Sequence, residues 1–337
     1  MAVNTERLFD LLKRRGVSGD EGDIRSAIME IVRPLCDDVH VDTIGNLFAH
    51  KRGSGRRVMA CAHMDEVGLI VSNFRDDGLL EYETVGGIDP RVLVSKRVRV
   101  GSGRVPGVIG AKAIHLQSEQ EYHSVLGHNS LRIDIGASSA DEAKKLVKLG
   151  DYVTFDSDPE LFGDDRVCSK ALDDRVGCLA LISALEGDYD CDFTAVFTVQ
   201  EEVGLRGAQV AAMRVRPEVC VVLEGTTSND LGETPEHQRA CEVGKGVAIS
   251  FMDRASIANV ELFKGMIELA EAGGIPHQIK NVVAGGNDAG AVQSRAGAAA
   301  TCVLSVPCRN IHSANSVAAL CDMQAQSELI CAFLKRA

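Results

Sequence analysis

The sequence has no surplus of positive charge, because 36 Lys and Arg stand against 48 Asp and Glu and the formal net charge is −12. Proteins that bind nucleic acids or anionic membranes need a basic surface, so the composition argues against both functions. The locally basic stretch at residues 51–58 is interrupted by glycines and has no interleaved aromatic residues. This pattern is typical of a solvated turn rather than a phosphate site.

Long apolar runs and paired cysteines are also missing. No run is long enough to span a bilayer, and residues 1–16 carry charges throughout instead of the apolar core of a signal peptide. The 11 cysteines include no CxxC pair, and Cys61, Cys220 and Cys302 lie in apolar strand-like segments where a small thiol packs well. This usage argues against a disulfide framework or a zinc finger and predicts that the protein resides in the reducing cytoplasm. The spacing of the cysteines alone does not exclude a catalytic cysteine.

The 337 residues are too many for one compact core and predict about two domains. Helical and strand-like patterns alternate in residues 1–66 and again in 164–337, where residues 316–337 read as one long helix. Residues 67–163 instead contain short β-like segments separated by glycines, with one helix at 139–150 that Ser139 or Asp141 could cap. We therefore predict a discontinuous α/β domain (1–66 and 164–337) and an inserted small β-barrel or sandwich (67–163).

Ionisable side chains follow several predicted strands at the point where each strand ends. Ligands of open α/β sheets bind beyond the carboxyl ends of the strands, so these side chains are expected at one edge of one sheet. Taken singly, each has an ordinary alternative, such as a helix N-cap, a loop histidine or a turn residue. The five segments concerned carry His63 with Asp65, Asp173 with Asp174, Glu201 with Glu202, Glu224, and His312.

A set of histidines and carboxylates without a thiolate suits zinc, cobalt or manganese. The set is too rich in carboxylates for one structural zinc, and a carboxylate can bridge two metals, as in aminopeptidases and phosphatases. His63 and Asp65 point to the same side of a strand. We therefore expect the Asp65 carboxylate to accept a hydrogen bond from His63 and fix its tautomer.

Seven segments together resemble the glutamyl aminopeptidase and tetrahedral (TET) aminopeptidase family of co-catalytic dinuclear metallopeptidases, some of whose members are labelled endoglucanases. They are "AHMDEVGLIV", "GVIGAKAIHL", "SKALDDRVGC", "TVQEEVGLRGA", "LEGTTSND", "NDAGAVQ" and "CRNIHSANSV". The resemblance covers nearly the whole chain in the family's order. It implies a phosphorylase/hydrolase-like three-layer α/β/α domain with an inserted β-barrel for dimerisation and assembly, and often a dodecameric tetrahedral shell of dimers.

The resemblance also implies the roles of individual residues. Two divalent ions per subunit are expected, zinc first and cobalt or manganese as alternatives. His63 and Glu224 would hold one ion, Glu202 and His312 the other, and Asp173 would bridge both. Glu201 would be the general base and Asp65 would orient His63. Asp288 and Gly290 would line the substrate site, while Asn287 and Gln293 depart from the family pattern. Many family members have Asp where this chain has Glu224, which leaves the metal preference open.

The function implied is a cytoplasmic metal-dependent aminopeptidase that removes N-terminal residues from peptides. A hydroxide bridging the two metals would attack the scissile carbonyl while Glu201 exchanges the proton. The alternatives are another dinuclear hydrolase on the same scaffold (a deacylase or carboxypeptidase), a glycosidase-labelled member, or a non-catalytic member. A glycosidase would use a pair of carboxylates without metal. The preferred N-terminal residue, the native metal, the physiological peptides and the assembly size stay open.

Overall fold

The computed structural model describes residues 3–295 and 299–337, and its helices and strands alternate through most of that range. The helices are α1 Thr5–Lys13, α2 Gly22–Val32, α3 Glu119–Tyr122, α4 Ala140–Leu146, α5 Leu172–Leu185, α6 Arg206–Val215, α7 Val260–Gly273, α8 Asp288–Gln293 and α9 Leu320–Leu334. No helix among the described residues is both long and apolar enough to cross a membrane.

The strands divide between one large sheet, one small sheet and a barrel. They are β1 Asp38–Val41, β2 Leu47–Lys51, β3 Arg57–His63, β4 Gly68–Phe74, β5 Leu80–Val85, β6 Arg97–Val100, β7 Val105–Ala111, β8 Leu131–Asp134, β9 Tyr152–Phe155, β10 Glu160–Phe162, β11 Arg166–Ser169, β12 Asp192–Thr198, β13 Val219–Thr227, β14 Val247–Ser250, β15 His277–Ile279, β16 Ala300–Cys308 and β17 Ser316–Ala319.

The large sheet has the order β1-β2-β12-β3-β13-β16-β14-β15. Its centre is parallel, since β3 pairs in parallel with β12 and β13, and β13 pairs in parallel with β16. The near-continuous apolar runs of β3 and β13 follow from this position, because a central parallel strand is covered on both faces. The carboxyl ends of these four strands therefore meet at one edge of the sheet.

Helices cover both faces of the large sheet. One core joins the sheet to α1, α2, α5, α7 and α9, and a smaller core joins the opposite face to α6 and α8. The ends of α7 show why the chain turns there: the Asn259 side chain accepts the backbone N–H of Leu262, and Gly274 adopts φ 61° at the C-terminus. This arrangement confirms the three-layer α/β/α fold.

The strands β4, β5, β8, β7, β6 and β9 close into a barrel that spans Gly68–Phe155, with a separate apolar core. The helix α4 interrupts it, and the Ser139 side chain caps that helix by accepting the N–H of Glu142. The barrel thus lies within the segment 67–163, as an insertion between β3 and β11.

One boundary differs from the sequence prediction. Residues 316–319 do not begin the C-terminal helix but form β17, which pairs antiparallel with β11, and α9 begins at Leu320. The alanines and valine of this segment suit either structure by local pattern. The edge of β11 supplies the partner that selects the strand.

Candidate active site

Four parallel strands deliver the predicted site residues to one edge of the large sheet. His63 ends β3, Glu224 lies near the end of β13, and His312 follows β16 in the chain. Glu201 and Glu202 follow β12. The chain leaves the strand geometry just before the two glutamates, because Gln200 has φ 55°. This left-handed residue turns the backbone, so that both neighbouring carboxylates line the same cavity.

Asp173 lies between the two histidines. Its Oδ1 is 3.4 Å from Nε2 of His63, and its Oδ2 is 3.4 Å from Nε2 of His312. Asp173 belongs to the first turn of α5, but its backbone (φ −86°, ψ 108°) and that of Asp174 are not helical. The neighbouring Asp174 carboxylate accepts the backbone N–H groups of His63 and Gly177 instead. The fold therefore selects Asp173, rather than Asp174, to face both histidines.

Each histidine is also close to a second carboxylate. Nε2 of His63 lies 3.6 Å from Oε2 of Glu224, and Nε2 of His312 lies 3.2 Å from Oε1 of Glu202. These contacts make two half-sites, each with one histidine and one glutamate, which share Asp173. One oxygen each of Asp173, Glu202 and Glu224 is buried without a hydrogen-bond partner among the described residues.

The backbone fixes the orientation of both histidine rings. Nδ1 of His63 donates to the carbonyl of Asp65 at 3.0 Å, and Nδ1 of His312 donates to the carbonyl of Gly87 at 2.8 Å. A carbonyl only accepts, so each Nδ1 carries a proton and each Nε2 is directed to the carboxylates. The Gly87 contact means that the inserted segment helps to position His312.

Charge in the cluster is unbalanced without cations. Burial disfavours ionised Glu201, Glu202 and Glu224 and raises the pKa of each. Burial also opposes protonation of His312, but Asp173 and Glu202 outweigh it and raise the pKa of this histidine to about 11. Buried carboxylates with unpartnered oxygens and inward-facing imidazoles are the donor set that divalent transition metals prefer, so the residues fit two such ions.

The carboxylate of Asp65 holds the turn that carries the two glutamates. Its Oδ1 accepts the backbone N–H of Glu201 at 3.0 Å and its Oδ2 accepts that of Glu202 at 3.1 Å. The predicted bond from His63 goes instead to the backbone carbonyl of Asp65, and the carboxylate Oδ1 is 3.6 Å from Nδ1. The Asp65 carboxylate accepts hydrogen bonds from two backbone N–H groups at the turn. It therefore does not form the predicted hydrogen bond with His63.

The site residues that line a cavity of about 310 Å³ are His63, Asp173, Glu201, Glu202, Glu224 and His312. The remaining wall consists of Gly225, Thr226, Thr227, Asn229, Gln238, Ala240, Lys280, Val282, Ala284, Gly285, Gly286, Asn287, Ser305 and Ile311. This volume is at the lower end of the range for small-molecule sites. It is large enough for one or two amino-acid side chains rather than a folded protein.

Residues 45–329 match the sequence profile of the M42 glutamyl aminopeptidase family. The chain belongs to this family. It is 39% identical over 335 residues to a protein of Acetivibrio thermocellus that carries the name of a putative aminopeptidase, covering 97% of this chain and 98% of the relative. It is 33% identical to the lysyl aminopeptidase of Pyrococcus furiosus, covering 99% of this chain and 97% of the relative.

The solved structures agree with this assignment. The TET1 peptidase of Pyrococcus horikoshii is 35% identical, with a TM-score of 0.87 over 99% of both chains. That peptidase is described as able to assemble into a tetrahedron or a large octahedral shell. The M42 chain is thus a peptidase, and membership of this metallopeptidase family implies divalent metal ions.

Two residues of the M42 chain that the resemblance assigned to substrate binding do not line the cavity. Asp288 is fully buried at the start of α8, where its Oδ2 accepts the Thr198 hydroxyl at 2.6 Å. Gly290 packs directly against Ala255. The cavity wall is formed instead by the residues just before them, 284–287. The helix begins at Asp288, and its first residues are buried in the core. The local sequence motif does not show this burial.

The sequence did not predict several residues that support the M42 site. The Ser18 hydroxyl donates to Oδ2 of Asp65 at 2.6 Å, and Glu21 Oε1 accepts the N–H of Gln200 at 3.3 Å. Asn46 accepts the N–H of Val199 at 3.2 Å. All three are polar residues buried in the fold. Each lies in an ordinary sequence context, so only the folded chain shows that they brace the turn before Glu201.

Proposed function

We propose that this M42 peptidase is a dinuclear metal-dependent aminopeptidase that removes N-terminal residues from peptides. The observation that carries the proposal is the position of Asp173, whose two oxygens face His63 and His312 at 3.4 Å each. One carboxylate between two imidazoles suits two neighbouring cations better than one. Among the alternatives from the sequence, the aminopeptidase has the further support of the family match.

His63 and Glu224 would hold one ion, Glu202 and His312 the other, and Asp173 both. Zinc is the first expectation, with cobalt or manganese as alternatives, because imidazole and carboxylate donors suit all three. When bound, the two ions supply Lewis acidity that polarises the scissile carbonyl and lowers the pKa of a water molecule. The unpartnered oxygens of Asp173, Glu202 and Glu224 support this assignment.

Glu201 would act as general base and then as general acid. It lines the cavity, is 8% exposed, and has no hydrogen bond to its carboxylate among the described contacts. Burial raises its pKa, which favours a carboxyl group that can both take and return a proton. It would take a proton from the attacking water and transfer it to the leaving amine. Asp65 would position Glu201 through the backbone N–H.

We also propose that the protein assembles with itself, first as dimers and then as a dodecamer, through the inserted segment 67–163. The shell-forming relative supports self-assembly. Four large apolar side chains within residues 114–125 of this segment are more than half exposed, which single solvated chains rarely tolerate as a group. They are Ile114, Leu116, Tyr122 and Val125. Mass measurement in solution, with and without charged substitutions at these four positions, tests the assembly.

A substrate panel on the metal-reconstituted protein tests the activity. Aminoacyl-chromogenic substrates and free-amine peptides should be cleaved, and full chelation should abolish cleavage. Preference for N-acylated amino acids would favour a deacylase, and release from the C-terminus would favour a carboxypeptidase. Activity on cellulose that survives complete metal removal would overturn the proposal, since a glycosidase needs only two carboxylates. No turnover of any substrate would leave a non-catalytic family member.

A further inference from the structure

A second polar cavity, of about 200 Å³, lies where the α/β domain meets the barrel, and its described wall shares no residue with the cavity at the metal centre. Its wall comes from the end of α1, the turn between β6 and β7, the end of β9 and the residue after β11. Four cationic residues line it: Lys13, Arg15, Arg104 and Lys170. The whole chain has 48 acidic and 36 basic residues, so the positive charge of this cavity is opposite to the overall balance.

The two carboxylates on the same wall, Asp156 and Asp158, do not neutralise these cations. Asp156 lies 2.7 Å from Nη2 of Arg97 and 2.9 Å from Nε of Arg99. Two arginines outside the wall therefore already balance its charge. Asp158 is exposed and supplies a single negative charge.

Lys170 is the most buried cation of this wall and belongs to a cluster with surplus positive charge. Its ammonium group donates to both carboxylate oxygens of Glu66 at 2.9 Å, but the same carboxylate also lies 3.5 Å from Nη2 of the fully buried Arg175. The three guanidinium nitrogens of Arg175 have no hydrogen-bond partner among the described residues. Burial lowers the pKa of Lys170, and repulsion by Arg175 and Arg104 lowers it further against the attraction of Glu66. One carboxylate thus faces two buried cations.

The other three cations of the wall add to this surplus. The side chains of Lys13, Arg15 and Arg104 make no hydrogen bond or ion pair with any described residue. Their charges exceed the single charge of Asp158, and like charges gathered at one site repel each other. Guanidinium groups bind phosphate oxygens through paired hydrogen bonds, and an ammonium group adds a point charge. The wall therefore has the donors and the charge that a phosphate group requires.

We propose that this cavity binds a phosphate group, as inorganic phosphate or as the phosphoryl group of a small phosphate ester, through the side chains of Lys13, Arg15 and Arg104. The site is separate from the metal centre and does not depend on the proposed aminopeptidase function. Lys13 and Arg15 belong to the α/β domain and Arg104 to the barrel. The bound phosphate would therefore join the two domains and stabilise the folded chain.

Titration calorimetry of the metal-reconstituted full chain, freed of unbound metal, tests the site with inorganic phosphate and with methyl phosphate at an ionic strength held constant with chloride. The wild type should bind phosphate. Arg15→Gln and Arg104→Gln should each raise the Kd of this site roughly 10-fold or more, because each removes a charge-assisted hydrogen bond. Arg52→Gln, at an exposed arginine outside the cavity, is the matched control and should bind like wild type.

Phosphate binding to the metal ions would be the same in all four proteins, so only a loss in the two cavity variants identifies this site. Equal Kd values in the wild type and both variants would refute it. Binding of both ligands would show that the site accepts a phosphate ester, and binding of inorganic phosphate alone would identify the free anion as the ligand.

Thermal unfolding separates a binding role of the two arginines from a structural one. Without phosphate, Arg15→Gln and Arg104→Gln should unfold at the wild-type temperature or above it, because each substitution removes a repelling charge. Saturating phosphate should raise the unfolding temperature of wild type by roughly 2 °C or more and that of both variants by less. Lower unfolding temperatures of the phosphate-free variants would show that the arginines are structural. An equal rise with chloride at the same ionic strength would show general screening, and either result would overturn the proposal.

Discussion

The carboxylate of Asp65 accepts a hydrogen bond from the backbone N–H of Glu201 over 3.0 Å. The second oxygen accepts the N–H of Glu202 at 3.1 Å and the hydroxyl of Ser18 at 2.6 Å. One buried carboxylate thus fixes the turn from which both glutamates enter the cavity. Burial opposes ionisation of Asp65, but the nearby His63 and these donors outweigh it and lower the pKa of the carboxyl group.

Substitution Asp65→Asn should impair both glutamates at once. The amide retains one acceptor oxygen but turns its NH₂ group towards one of the two N–H donors. We expect kcat/KM to fall roughly 10- to 100-fold, with weaker metal retention. Metal content and steady-state kinetics on one substrate measure this. Ser18→Ala removes only one of the three hydrogen bonds and should have a smaller effect, so an Asp65→Asn enzyme as active as Ser18→Ala would contradict the positioning role.

The adjacent glutamates should respond differently to the same substitution. Glu201→Gln should retain both metals and the fold but lose turnover by roughly 100-fold or more, since the amide cannot exchange a proton. Glu202→Gln should lose metal, because Oε1 of Glu202 lies in the half-site of His312, 3.2 Å from Nε2. Elemental analysis of both variants beside their activities makes the comparison. Equal metal content together with equal activity would show that the roles are assigned wrongly.

Glu66 balances two buried cations. Its carboxylate lies 2.9 Å from Nζ of Lys170 and 3.5 Å from Nη2 of Arg175, and all three side chains are at most 5% exposed. Glu66→Gln would leave two positive groups uncompensated in the core, so we expect the free energy of unfolding to fall by about 3–5 kcal/mol. Denaturant unfolding of the metal-free protein measures it. The exposed Glu30→Gln is the control, and a Glu66 variant as stable as that control would contradict the argument.

Stability should depend on pH through Asp322. This buried carboxyl group accepts the N–H of Gly244 and of Gly246 at 2.7 Å each, and burial raises its pKa from 3.8 to about 6. The folded protein therefore holds the proton more tightly than the unfolded chain. The stabilisation is complete below about pH 4 and is lost as the pH rises through about 6, by about 3 kcal/mol in total.

Comparison of Asp322→Asn with wild type between pH 4 and 7 isolates this contribution. The variant cannot titrate at this position. As the pH rises, the free energy of unfolding of wild type should therefore fall relative to that of Asp322→Asn. Asp76→Asn changes an exposed residue, so its free energy of unfolding should change with pH in the same way as that of wild type. A difference between Asp322→Asn and wild type that does not change over this range would show that the group titrates equally in both states.

The sequence by itself determined the fold class and the edge of the sheet at which the site forms. His63, Glu202, Glu224 and His312 each follow an apolar strand, and parallel strands end together. This regularity operates along the chain and is visible in the order of apolar runs and ionisable residues. The same local patterns were insufficient at residues 316–319, where an alanine-rich segment pairs with β11 instead of extending α9.

Tertiary structure alone decided which polar groups meet across the chain. It placed Asp173, rather than its neighbour Asp174, between the two histidines, and it paired the Asp65 carboxylate with two backbone N–H groups. It also buried Asp288 beside Thr198 and placed Lys280 on the cavity wall. Each outcome depends on burial and on a partner distant in sequence. Hydrogen bonds and ion pairs act over a few ångströms in space, so the spacing of residues along the chain does not contain them.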